Sequence, residues 1–278
     1  MINRIAFLGC GSMGEAILAG LLAGSFEPAS AIATVRRAER AAELAQRYGI
    51  TAVANSEDAN ANRAAVAGAD VVVLGVKPAQ IAALCREIAG SLAPGTVVVS
   101  VAGAVTIKQI EAALAPGQPV VRTMPNTPLM VGRGVVGLAL GGSVDAGQAA
   151  AAREVFAGSG VVLDVAESQM QAIGAISGSG PAYAFYLAEA MAAAAWEFGL
   201  DPETAKTLAN ETVAGAGLML AAPGADATAL RKAVTSPNGT TEQAIATFDE
   251  LGLPATVLAG ARAAAARSDV ITAELDGL

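Results

Sequence analysis

The sequence predicts an α/β protein, with a doubly wound parallel sheet over residues 1–165 and an all-helical part over residues 166–278. Three observations predict it. Short, Val-rich apolar runs bounded by Gly, Pro or Asp alternate with helical segments as far as Val165. A glycine-punctuated turn follows the first of these runs directly. Beyond Val165 the strand-like runs stop and Ala-rich helices follow.

Residues 5–8 form the first buried strand, and 13–23 the helix after it. Residues 31–35 read as a second strand and 38–48 as a helix with one charged face. Further strands are expected at 71–76, 97–101, 120–123, 135–140 and 161–165. Continuous apolar strands of this kind are buried on both faces, as in a parallel sheet covered by helices. Strand–helix alternation gives the doubly wound class. The second part reads as helices at 167–176, 182–197, 202–221, 227–234, 241–251 and 253–268. Asp201 before Pro202 and Asp226 before Ala227 are start signals. Apolar residues occupy more than one face of 182–197 and 205–222, so these helices are expected to pack against a partner subunit. A monomeric helical cap is the alternative.

Composition narrows the function classes. The 278 residues are 54% hydrophobic and 15% charged, enough for a large core. A net charge of −8 argues against nucleic acid, which needs clustered cations. The apolar stretch 190–195 is short and flanked by Glu189 and Glu197, so no membrane span is expected. The two cysteines, Cys10 and Cys85, fit neither a metal site nor a disulfide framework. With no signal-peptide layout at the start, a soluble, reducing, cytoplasmic setting is expected. The chain has no histidine, so its chemistry must use a cofactor, a hydroxyl, a Lys, a Tyr or a carboxylate.

The turn Gly9-Cys10-Gly11-Ser12-Met13-Gly14 follows a strand and opens a helix. That context makes it a dinucleotide site of Rossmann type. Gly9 allows the tight turn, Gly11 lets a pyrophosphate approach, and Gly14 lets the helix pack on the strand. Ser12 and Met13 lie at the helix start, where N–H groups face an anion. An ordinary strand-to-helix turn is the bland alternative. The second strand ends in Thr34-Val35-Arg36-Arg37, with no carboxylate between Glu27 and Glu39. Two guanidinium groups suit a 2′-phosphate, so NADPH is expected, with NADH weaker. Solvated positions at a helix start are the alternative for Arg36 and Arg37.

Two more loops lie at strand C-termini. Lys77, within Val76-Lys77-Pro78, would face the nicotinamide ribose or its phosphate. Residues 122–128, with Met124, Pro125 and Asn126, form a stiff loop suited to the nicotinamide side. Either could be a plain strand-ending turn. Asn55 completes the expected cofactor set. In the helical part, residues 177–183 and 234–241 stand out. The second clusters hydroxyls and N–H groups at a helix start, which binds a carboxylate without a cation. Plain helix capping is the alternative.

Taken together, these pieces resemble the pyrroline-5-carboxylate reductase family from end to end. They are residues 9–14, 76–78, 124–128, 178–183 and 234–241, of which the last two are the specific ones. The resemblance implies a Rossmann domain over 1–165 and a helical dimerisation and substrate-binding domain over 166–278. It implies a homodimer that assembles further into a ring, with the substrate loop reaching the nicotinamide of the partner subunit. The Thr241 hydroxyl would bond the nitrogen of a cyclic imine. Ser236, with the N–H groups of Gly239 and Thr240, would hold the substrate carboxylate. Where the family's loop usually reads Ser-Pro-Gly-Gly, this chain has Asn238. Asn tolerates left-handed backbone angles, so the turn is expected to survive.

Three rivals stand beside this reading, the second of them from a different class. Short-chain hydroxyacid dehydrogenases place a Lys four residues after the second Gly of Gly178-Ser179-Gly180, where this chain has Ala184. A cofactor-binding sensor needs no substrate-positioning hydroxyls. A reductase of six-membered imines differs by one methylene, which sequence alone does not resolve.

Overall fold

The computed structural model describes residues 2–275. Residue 1 and residues 276–278 fall outside them, so the helical expectation over 166–278 can be followed to Leu275. The chain divides into two compact units. One runs from residue 2 to Gly178 and resumes at Ala264, and the other is Ser179–Ala263.

The first unit is built on β1 (Ile5–Leu8), α1 (Ser12–Leu22), β2 (Ala31–Val35), α2 (Ala38–Tyr48), β3 (Thr51–Ala54) and α3 (Ala61–Val66). It continues through β4 (Val71–Leu74), α4 (Ile81–Ile88), β5 (Val97–Ser100), α5 (Ile107–Glu111), β6 (Val120–Met124) and β7 (Gly134–Leu140). Then come α6 (Ala146–Glu154), β8 (Gly160–Asp164) and α7 (Met170–Ile173). The strands form one sheet in the order β3-β2-β1-β4-β5-β6-β7-β8.

Side chains alternate between the two faces, and both faces are covered. Ile5, Phe7, Val71, Val73, Val97 and Val99 pack with Ile17, Leu18 and Leu44 on one side. Ala6, Leu8, Val72, Leu74 and Val98 pack with Val66, Ile81, Leu84 and Ile110 on the other. β1, β4 and β5 are buried at every position, as their unbroken apolar runs predict.

The parallel expectation fails at β7, which runs antiparallel to β6. The connection, residues 125–133, is too short for a crossover, which takes a dozen or more residues. β8, parallel to β7, lies at the sheet edge, so the expectation of burial on both faces fails there too. Val161 and Leu163 are exposed. The sequence reading also assigns nothing to β3, α3, α4, α5 and α6. Of these, α4 does carry the signal: Ile81, Leu84, Cys85 and Ile88 recur at helical spacing and are its buried face. α6 buries only Ala, and α3 buries Asn62 and Val66 beside two Ala over six residues, which leaves little periodic contrast to read.

The first compact unit continues past Val165 because the next segment docks on the sheet. Glu167 pairs with Arg122 at 2.9 Å. A Cβ built on Gly137 would lie 2.8 Å from Ile173 Cγ2. The expected helix over 167–176 is broken into a 3-10 turn (Glu167–Gln169), α7 and a π-helical turn (Gly174–Gly178). Gly174, Gly178 and the Ser177 hydroxyl, which donates to the Ile173 carbonyl at 2.9 Å, disfavour a regular ladder.

The second unit holds α8 (Gly180–Glu197), α9 (Pro202–Leu220), α10 (Ala227–Ala233), α11 (Thr240–Glu250) and the first part of α12 (Leu253–Leu275). Asp201 and Asp226 cap α9 and α10, accepting from the N–H groups of Thr204 and Ala229 at 3.1 and 2.7 Å. α12 outlasts the expected end at Ser268 because no Gly or Pro stands between Ser268 and Leu275. Only Ala188 is buried on α8, while Phe185, Tyr186 and Trp196 stand 64–73% exposed.

Candidate active site

The cofactor half lies in the first unit, at the C-terminal ends of β1, β2, β4, β5 and β6. β1 and β4 are neighbours from which the chain winds outward in opposite directions, the switch point where open α/β sheets bind ligands. Gly9 has φ +72°, and a Cβ there would lie 2.4 Å from Val76 Cγ1. Both the backbone angle and the neighbour therefore require glycine. At Gly11 nothing comes closer than 3.9 Å to a built Cβ, which leaves the space a phosphate needs. The N–H groups of Ser12, Met13 and Gly14 have no backbone acceptor at the head of α1. Gly14 departs from expectation: a Cβ there would make ordinary contact with Cys10 Sγ at 3.4 Å, so helix–strand packing does not demand glycine.

Arg36 and Arg37 are exposed at the end of β2, and neither forms an ion pair among the described residues. The nearby cations that do pair are Arg40 and Arg47, which converge on Glu15 in the first turn of α1. Tyr48 also donates to Glu15, at 3.1 Å. Burial raises the Glu15 pKa, but the bonds from Arg40 and Tyr48 outweigh it and hold it below 4.5. This cluster ties α2 to α1 and thereby sets Arg36 and Arg37 beside the glycine turn. It also offsets a carboxylate that would otherwise face bound phosphate. The residues present thus fit a dinucleotide carrying a 2′-phosphate: open space over Gly11, free N–H groups, and two uncommitted guanidinium groups.

The β1 and β4 loops touch, since a Cβ on Gly75 would lie 2.9 Å from the Gly9 carbonyl. Lys77 is exposed at this edge, and its carbonyl closes the 3-10 turn that starts at Pro78. The sequence reading overlooks the β5 loop, Val101 to Gly103. A Cβ on Gly103 would lie 2.1 Å from Met124 Sδ, so this loop adjoins the β6 loop. A Gly soon after a parallel strand was the available signal. Arg122, 1% exposed, holds the two together by donating to the Gly103 carbonyl and to Glu167.

Asn126 also has a structural role. Its amide donates to the Ser177 carbonyl (2.9 Å) and accepts from the Val135 N–H (2.8 Å). These two bonds brace the loop that carries Met124 and Pro125 and leave the amide one further N–H. Cys10 is buried, and desolvation first, then Glu15, push its thiol up to about 12. It is an inert packing residue. A cleft of about 400 Å3 beside α1, lined by Ala19, Tyr48 and Met130, meets the glycine turn only at Ser12.

The candidate substrate loop lies in the second unit. Asn238 has φ +59°, the left-handed angle expected of it. Its N–H donates to Glu242 Oε2 at 2.7 Å. The Gly239 N–H is corrected in role: it donates to the Ser236 carbonyl at 2.9 Å and so closes the turn. Among the described residues, the N–H groups of Thr240, Thr241 and Glu242 have no backbone acceptor at the head of α11. Thr241 is half-buried one residue inside the helix. Ser236, Asn238, Gly239, Thr240 and Thr241 are thus brought together at one helix start.

Residues 167–271 match the family model for pyrroline-5-carboxylate reductase dimerisation. Residues 4–103 match that for NADP oxidoreductase, coenzyme F420-dependent. Pyrroline-5-carboxylate reductase of Pseudomonas aeruginosa is 40% identical over 98% of each chain. The chain belongs to the pyrroline-5-carboxylate reductase family. The solved reductase of Coxiella burnetii superposes with a TM-score of 0.89 at 37% identity, covering 97% of this chain and 98% of that one. A Plasmodium falciparum pyrroline carboxylate reductase, solved with NADP bound, shares the fold at 23% identity and a TM-score of 0.82. It covers 97% of this chain and 98% of its own. Family membership sets the hydroxyacid dehydrogenase rival aside. No helix among the described residues is long and apolar enough to cross a membrane.

Proposed function

We propose that this protein reduces 1-pyrroline-5-carboxylate to L-proline with NADPH, the last step of proline synthesis. The observation that carries the reading is the head of α11. There N–H groups without a backbone acceptor, those of Thr240 and Thr241 among them, lie within a stretch that carries the hydroxyl residues Ser236, Thr240 and Thr241. Such a cluster takes a carboxylate without a cation. The Thr241 hydroxyl bonds the imine nitrogen and orients the ring. Ser236 and the Thr240 N–H hold the carboxylate, while Asn238 and Gly239 shape the turn. When bound, reduced nicotinamide supplies the hydride for the imine carbon. The protein supplies orientation and electrostatics, and this chemistry needs no histidine.

Residues 1–165 serve as the NADP-binding domain and 166–278 as the dimerisation and substrate-binding domain. The family match over 167–271 and the exposed aromatic residues of α8 support a homodimer. We extend this to a larger ring, with each substrate loop serving the nicotinamide of the partner subunit. The free thiols Cys10 and Cys85 suit a reducing cytoplasm.

The test is kcat/KM for the five- and six-membered cyclic imino acids, each with NADPH and NADH, followed by loss of reduced-nicotinamide absorbance. The five-membered imine with NADPH is expected to be the best pair. No turnover of it, or a clear preference for the six-membered ring, overturns the reading.

A further inference from the structure

One polar cluster at the cofactor edge, with a buried centre, serves no role described so far. Asn62, on α3, is 8% exposed, and Thr34, at the end of β2, is fully buried. The Thr34 hydroxyl donates to Asn62 Oδ1 at 2.7 Å. The same Oδ1 accepts from the Asn55 side-chain amide at 3.4 Å. Asn62 Nδ2 donates to both carboxylate oxygens of Glu87, at 3.2 and 3.3 Å. The direction of the Asn62 amide is therefore fixed, because a flip would set its carbonyl against a carboxylate.

That direction propagates. With its proton committed to Asn62, the Thr34 oxygen accepts from the Gly9 N–H at 3.4 Å. The Thr34 carbonyl accepts from the Cys10 N–H at 2.9 Å. Thr34 thus holds the two residues that open the glycine turn. Asn55 turns its NH2 toward Asn62, which leaves its carbonyl end for a ligand hydroxyl or amino group.

We propose that Asn62 is the positioning residue for the adenosine side of the dinucleotide site, acting through Thr34 and Asn55 and anchored by Glu87. This rests on the NADPH reading above. Asn62 touches no reacting atom. It sets the turn under the pyrophosphate and the amide at the end of β3.

The test uses the full-length protein and calorimetric binding of NADP+ and of 2′,5′-ADP, which lacks the nicotinamide, with no imine present. Asn62→Ala is expected to weaken both ligands by the same factor, about tenfold, as expected for losing an orienting hydrogen-bond set. Its KM for NADPH should rise in step, with kcat and the KM for imine within about twofold. Asn62→Asp should bind at least as poorly, because a buried carboxylate then faces the half-buried one of Glu87. Adding Glu87→Gln to it should restore most of the affinity, since the new amide donates back to the carboxylate at position 62. If Asn62→Ala fails to fold, the comparison of Asn62→Asp with the Asn62→Asp/Glu87→Gln pair decides. A loss of melting temperature with wild-type affinity for both ligands makes Asn62 merely structural and overturns the proposal. So does an unrescued double variant that folds. Wild-type protein that binds neither ligand overturns the cofactor reading and this proposal with it.

Discussion

Asn238 offers a direct test of the substrate loop, because its backbone angle can be perturbed without touching a hydroxyl. At φ +59° it occupies the left-handed region. An ordinary L-residue there costs about 1–2 kcal/mol, with β-branched residues at the top of the range. Asn escapes part of that cost. The turn also carries the Asn238 N–H bond to Glu242, 2.7 Å long, and the Gly239 N–H bond to the Ser236 carbonyl, 2.9 Å long. Asn238→Val therefore puts about 2 kcal/mol against the turn, while Asn238→Ala puts on the order of 1 kcal/mol. At 1.4 kcal/mol per factor of ten, the Val variant should raise the KM for imine by roughly thirtyfold. The Ala variant should raise it about fivefold. Asn238→Gly keeps the angle and should stay within about threefold. The loop is exposed, so strain is relieved by local rearrangement and the melting temperature should barely move. The assay is initial-rate kinetics with imine varied at saturating NADPH, then the reverse. The KM for NADPH should stay within about twofold for all three. An Asn238→Val variant with wild-type KM for imine would refute the placement of the carboxylate at this turn.

Thr241→Ala should lower kcat on the five-membered imine by roughly ten- to a thousandfold, the range for one positioned polar contact, and unchanged turnover would remove Thr241 from the mechanism. Replacing Arg36 and Arg37 together by Ser should raise the KM for NADPH by on the order of fiftyfold while leaving NADH kinetics within about threefold. Equal losses with both cofactors would count against the 2′-phosphate assignment. Glu15→Gln tests the cluster that joins α1 to α2. Because the folded Glu15 pKa lies below its ordinary 4.5, the stability it contributes is present above that value and is lost as pH falls through the folded pKa. The variant should melt below wild type at pH 7, and the gap should close as melts are repeated at progressively lower pH beneath about 4.3. A gap that persists at acid pH would mean the Glu15 charge is not what matters.

Much of the molecule was legible in the chain because the signals are local. Unbroken Val runs specify strands covered on both faces, and β1, β4 and β5 are buried at every position. The spacing of Gly9, Gly11 and Gly14 between a strand and a helix marks a phosphate turn from neighbouring residues alone. The residues at the end of β2 carry the charge that favours NADPH. A left-handed angle at Asn238 follows from its place in the turn. Local pattern could not say which polar groups remain free. The Gly239 N–H reads as a ligand contact, yet it is used up inside the protein by the Ser236 carbonyl, and the Asn126 amide spends part of its capacity on the Ser177 carbonyl and the Val135 N–H. Thr34 and Asn62 are far apart in sequence and unremarkable in type, and they meet only because β2 and α3 do. The reversal at β7 came from the length of a connection, not from the strand's own residues. The sequence alone therefore determined the glycine turn and the chemistry gathered around it, since backbone angle, charge and periodicity are properties of neighbours along the chain. Only the tertiary structure decided which of those groups face outward, because a hydrogen bond between distant residues cancels a donor that the sequence displays as free.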